Sequence, residues 1–168
     1  MGKSVHPSSS DEQQFAEPLI IKRLENQLKK ELGIRVKLIP HRPLPDSLIK
    51  VDGYCEKPRI MCEVWSHQQN LPKGGQPDKV MSDALKMLFI EKRSGKRFRK
   101  ILVFADEKVG KPFHSDSNKW EAKCLKIFGI ECRIIEPRPD VKNKIINAQQ
   151  RQAASLRGSK FETPWQSP

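Results

Sequence analysis

The sequence has no apolar run approaching the 18 residues that a membrane-spanning helix requires. Its mean hydropathy of −0.66 points the same way. The stretch MGKSVHPSSSDEQQ has no apolar segment after its basic residue, so no secretory signal is expected there. Cysteine is sparse, with four residues at positions 55, 62, 124 and 132 and no CxxC spacing. That density excludes a disulfide scaffold of the small secreted kind. A structural zinc site is excluded too, because neither the cysteines nor His6, His41, His67 and His114 form two close-spaced ligand pairs. The expectation is a cytoplasmic chain with reduced thiols. Internal repeats, zinc fingers, RNA-recognition motifs and phosphate-binding glycine signatures are also missing.

What is present in excess is positive charge. The 168 residues carry 32 Lys and Arg against 20 Asp and Glu, a net charge of +12. Such a surface suits a polyanion, of which nucleic acid is the commonest. Residues 1–14 are polar and read as a disordered N-terminal segment. Residues 137–168 read as a basic, largely flexible tail with room for a short helix near Val141–Leu156. The folded unit is then 15–136, and it holds +9 of the excess, against −1 before it and +4 after it.

Within that unit the periodicity alternates. Ile20, Leu24, Leu28 and Leu32 mark a helical stripe over Pro18–Leu32, with Gly33 as its stop. Ile34, Val36 and Leu38 alternate with basic residues as a half-buried strand. Ser47–Cys55 and Arg59–Ser66 read as a hairpin around Glu56-Lys57-Pro58. Pro77 and Asp78 open a long helix with Met81, Ala84, Leu85, Leu88 and Phe89 as the predicted buried face. Ile101–Ala105 reads as a strand buried on both faces. A second helix over Ser117–Phe128, carrying Trp120, Cys124 and Phe128, precedes a last strand at Ile130–Ile135. The order α-β-β-β-α-β-α-β predicts an α/β domain, a mixed central sheet flanked by helices.

The hairpin carries two carboxylates. Asp52 on one strand and Glu63 on the other fall almost opposite each other, on one face. Two bare carboxylates so placed repel one another and resist ionisation. A cation between them resolves this, and hard oxygen ligands suit magnesium or manganese. On the following helix, Lys79, Asp83 and Lys86 are spaced i, i+4, i+7. Lys79, near the helix start, is the cation expected to reach the site. The competing reading is a solvated helix face with Lys79–Asp83 as an ordinary ion pair.

The run VDGYCEKPRIMCEVWSHQQNLPKGGQPDKVMSDALKMLFIEK, residues 51–92, resembles the core of the PD-(D/E)xK nuclease superfamily, which has the restriction-endonuclease-like fold. That resemblance implies metal-dependent cleavage of DNA phosphodiester bonds. It makes Asp52 the first metal ligand and Glu63 the second, beside the backbone carbonyl of Val64. It also implies an acidic residue from the first helix, for which Glu17 and Glu25 are the candidates. The sequence departs from the family's pattern at Trp65, where the motif lysine should stand. Lys79 from the next helix is the expected replacement and Gln68 a weaker one. His67, just past the strand, is a candidate proton-transfer group.

The run Lys92–Lys100 has six basic residues in nine. Its members Lys92, Arg93, Lys96, Arg97, Arg99 and Lys100 are, together with Lys73 and Lys86, the expected phosphate-binding residues. Two alternatives to a nuclease stand beside it. One is a catalytically inactive nucleic-acid-binding module on the same fold. The other is a protein-binding adaptor that docks through Phe161 and Trp165. A homodimer would suit an enzyme cutting both strands, but no sequence feature shows one.

Overall fold

A computed structural model describes residues 11–68 and 76–158. The first described element is helix α1 (Asp11–Leu32); Ile20, Leu24 and Leu28 of its predicted stripe are fully buried, whereas Leu32, in its last turn, is exposed. Gly33 ends it at φ +68°, a left-handed turn open to glycine, and its N–H returns to the carbonyl of Lys29 at 3.0 Å. Three strands follow, β1 (Ile39–His41), β2 (Val51–Cys55) and β3 (Ile60–Trp65). Helix α2 (Gln76–Ser94) crosses to β4 (Arg99–Phe104). A four-residue helix α3 (Glu107–Gly110) and the 3₁₀ turn Lys111–Phe113 lead to α4 (Trp120–Ile127), β5 (Ile130–Ile134) and α5 (Pro139–Gly158).

The strands form one sheet in the order β1-β2-β3-β4-β5. The first two pairings are antiparallel and the last two parallel, so the sheet is mixed, as expected for this α/β class. Side chains alternate across it. Ile60, Cys62, Val64, Ile101 and Val103 pack with α1 and α5 on one face. Met61, Trp65, Leu102 and Phe104 pack with α2 and α4 on the other. Among the described residues, no helix is long and apolar enough to cross a membrane.

Several boundaries differ from the sequence expectation. The paired segment β1 is Ile39–His41 rather than 34–38, and Ile34 is exposed, although Val36 and Leu38 are buried as predicted. Helix α1 begins at Asp11, inside the segment expected to be disordered. The stretch expected to be a largely flexible tail contains α5, whose Val141 and Ile145 join the core against α1. Too few apolar residues stand there to build a core alone, but a single stripe suffices to cover one already formed. Lys73, Phe161 and Trp165 lie outside the described residues.

The buried face of α2 is also partly rotated from the one predicted. In α2, Val80, Ala84, Met87 and Ile90 are buried while Leu85 and Phe89 are exposed. In α4, Ala122 and Leu125 face the core, and Trp120 and Phe128 face out. Ala84 is buried as predicted and Met81 and Leu88 pack partly against the core; Leu85 and Phe89 are the misplaced members of the α2 stripe. The small Ala84 and Ala122 lie where the helices meet the sheet, and small side chains let a backbone approach closely. The rotation of α2 also turns Asp83 and Lys86 toward Glu63.

Candidate functional site

Asp52 and Glu63 lie side by side because of the β2–β3 register. Gly53 pairs with Cys62, so Asp52 and Glu63 come one step beyond, across the hairpin. There the ladder stops, and the Asp52 carboxylate replaces it by accepting the N–H of Val64 at Oδ2, 2.9 Å away. This holds the acid rigidly against β3 and leaves its other oxygen uncommitted to that bond.

Glu63 is almost wholly buried. Burial, reinforced by the neighbouring Asp52 charge, pushes its pKa up to about 9, against the pull of Lys86. Lys86 Nζ stands 2.6 Å from Glu63 Oε1 and 3.3 Å from Asp83 Oδ1. Lys86 is therefore the partner of that buried Glu63 oxygen. Burial pulls the Lys86 pKa down, but Glu63 and Asp83 outweigh it and the net direction is up. Asp83 is itself fixed by Trp65, whose indole Nε1–H donates to Oδ2 at 3.1 Å. Trp65 thus orients Asp83, and through it Lys86.

The lysine expected in the site was Lys79, and the structure puts Lys86 at Glu63 instead. Lys79 sits 5.1 Å above the Trp65 ring, a cation–π contact on the rim. One helical turn or two from the strand end decides which lysine reaches in, and only the docking of α2 settles that. Of the two candidate acids on α1, the geometry selects Glu17. Its pKa is raised to about 7, by burial first and the Asp52 charge second, with Lys79 and Lys50 opposing. Glu17, Asp52 and Lys50 line one groove of about 290 Å³ with Pro18, Ile21 and Pro40. Glu25 lies two turns further on, where its Oε1 accepts the N–H of Leu38 at 2.8 Å and meets Lys37 at 3.6 Å. It secures the approach to β1 rather than serving the site.

Gln68 is buried, and its Nε2 donates to the carbonyl of Ala105 at 3.2 Å, tying the end of β3 to that of β4. His67 lies 3.3 Å from Gln149 Nε2 of α5 through Nδ1, and its ring is 5.7 Å from that of Trp65. Burial and then the Lys79 charge push its pKa down. Gln149 and Lys50 were not selected from the sequence. An amide in a polar helix and a lysine before a strand carry no motif signal. Asp83 did carry one, through its spacing with Lys86.

Four of the six cations in the basic run are engaged in ion pairs within the fold. Arg93 pairs with Asp46 at 2.5 Å and Lys96 with Glu56 at 2.9 Å. Arg99 meets Glu131 at 2.5 Å and Glu31 at 2.8 Å. Lys100 is buried against Glu91 at 2.8 Å. The run also enters β4 beside Ile60, at the opposite end of β3 from Trp65. Of its six cations, Lys92 and Arg97 are exposed and in no ion pair among the described residues.

No family model, curated protein or solved structure matches the chain. Among the described residues, no group of three or more His, Cys, Asp and Glu side chains is arranged to hold a metal ion. The donor set is therefore two carboxylates, a sparse one. It nevertheless suits magnesium, which keeps much of its water and needs only one or two carboxylates plus substrate phosphate. The pressure of the Asp52 charge on Glu63 fits an added cation.

Proposed function

We propose that the chain is a metal-dependent endonuclease that hydrolyses DNA phosphodiester bonds on a restriction-endonuclease-like fold. The observation that carries this reading is the buried Glu63 beside Asp52, with a lysine 2.6 Å from Glu63 Oε1 and Glu17 sharing a groove with Asp52. Asp52, Glu63 and the carbonyl of Val64 would hold Mg²⁺ or Mn²⁺. Bound there, the ion would polarise a phosphoryl oxygen and lower the pKa of a water. Lys86 offsets negative charge building on the phosphoryl group, from a water-poor position where such a charge acts strongly. Glu17, with its pKa near 7, is poised to accept a proton from the attacking water. Lys79 and Lys50, on the rim, attract the phosphate backbone.

Plasmid nicking in Mg²⁺ or Mn²⁺ tests the proposal. The wild type should cut in a metal-dependent way, and Asp52→Asn and Glu63→Gln, which keep size and shape, should each abolish it. Equal behaviour of all three would overturn the reading. The alternative, a binding module that no longer cuts, draws on the Lys86 ammonium standing where a metal would be needed. It predicts salt-sensitive DNA binding that Asp52→Asn preserves or strengthens, with no cleavage in any metal.

A further inference from the structure

Helix α2 has a third face that neither the core nor the site uses. Asp78, Leu85 and Lys92 recur every seven residues and so lie on one line down the helix, with Ser82 and Phe89 beside them. Leu85 is 67 % exposed, and Phe89 is exposed as well. The neighbouring helix α4 continues the apolar surface with Trp120 and Ile127, the latter 80 % exposed. Scattered exposed leucines need no explanation, but this concentration on two adjacent helices does.

The charges at its ends indicate what covers it. Asp78 at one end of the line is acidic and Lys92 at the other is basic, both exposed and equidistant from Leu85. An antiparallel copy of the same helix, centred on Leu85, would set each Asp78 against the Lys92 of the other copy. The two helix dipoles would also oppose favourably. A face that is complementary to itself under a two-fold rotation is what an isologous contact requires.

We infer that this chain self-associates as a two-fold dimer through α2, with Leu85 at the axis and α4 widening the apolar contact. The inference is independent of the nuclease reading, since none of these residues belongs to the carboxylate site.

Light scattering and sedimentation of the full chain at tens of micromolar provide the test. The wild type should run at twice the 19.3 kDa chain mass. Leu85→Lys should raise the dimer dissociation constant about a hundredfold, because it buries a charge at the centre of the contact. Its circular dichroism should match the wild type, as Leu85 is exposed in the single chain. Asp78→Lys and Lys92→Asp should each weaken the dimer by about tenfold, and the double exchange should restore it. A monomer throughout that range would overturn the inference. So would a dimer indifferent to Leu85→Lys, which would be held elsewhere. Failure of the double exchange to restore association would overturn the antiparallel pairing, as would binding of an acidic peptide to α2 by a chain that stays monomeric.

Discussion

At the scale of single residues, the proposed chemistry rests on a carboxylate held where it resists ionisation. Glu63 keeps its proton up to about pH 9 in the folded chain, whereas an unfolded glutamate releases it near 4.5. Below the lower value both states are protonated and Glu63 adds no pH dependence. Between the two, only the unfolded chain has lost the proton, so stability falls as pH rises. Glu63→Gln should flatten that fall and stabilise the metal-free protein by about 1–3 kcal/mol at alkaline pH. Urea unfolding at acid and alkaline pH would measure it, and equal slopes for variant and wild type would refute it. The same logic predicts that Mg²⁺ binding tightens with rising pH, as the ion competes with a proton. For the two lysines the expectation diverges. Lys86→Met should slow single-turnover cleavage by about a hundredfold, in the range of losing one charge-stabilising donor, while Lys79→Met costs tenfold or less.

At the scale of elements, the site depends on how closely β2 lies against its neighbours. Gly53 separates Asp52 from the rest of the hairpin, and a Cβ there would sit 2.5 Å from Cys62 Sγ and 3.2 Å from Leu38 Cβ. Neither neighbour is the far end of a flexible chain, so the strand itself must shift. Gly53→Ala should therefore cost about 1–3 kcal/mol in thermal or urea unfolding. Adding Cys62→Ala, which removes the closest atom, should recover part of that loss. Helix α2 serves two purposes from one face: Lys86, paired with Asp83, reaches Glu63, and Lys79 reaches the Trp65 ring. Trp65 supports both, donating to Asp83 and lying beneath Lys79.

At the scale of the whole molecule, much of the positive charge is spent internally. Arg99 and Arg133 interlock with Glu31 and Glu131, joining α1, β4 and β5 in one network. Several partly buried charges in one network contribute more than isolated surface pairs do. Arg99→Ala should therefore lower stability by about 0.5–1 kcal/mol, because Glu31 and Glu131 lose one of their two arginine partners and keep Arg133. It should leave the salt dependence of DNA binding unchanged. A reduced salt slope with unaltered stability would show instead that Arg99 contacts phosphate.

The α/β class, the α1 stripe and the opposition of Asp52 and Glu63 were legible in the sequence, because each follows from local periodicity and a short hairpin. Helical and strand periods are properties of neighbouring residues, and a tight turn sets register over only a few positions. The choice of Lys86 over Lys79, of Glu17 over Glu25, and the neutralisation of the basic run were not legible. Each depends on the rotation and end-to-end placement of a helix against the sheet. Residues 31, 99, 131 and 133 are far apart along the chain and adjacent only once α1 lies beside β4 and β5. Composition determined that this chain carries a large positive excess and two carboxylates that resist solitude. Tertiary packing alone decided which cations answer those carboxylates, because charges a few ångströms apart interact strongly only after burial has removed the water between them.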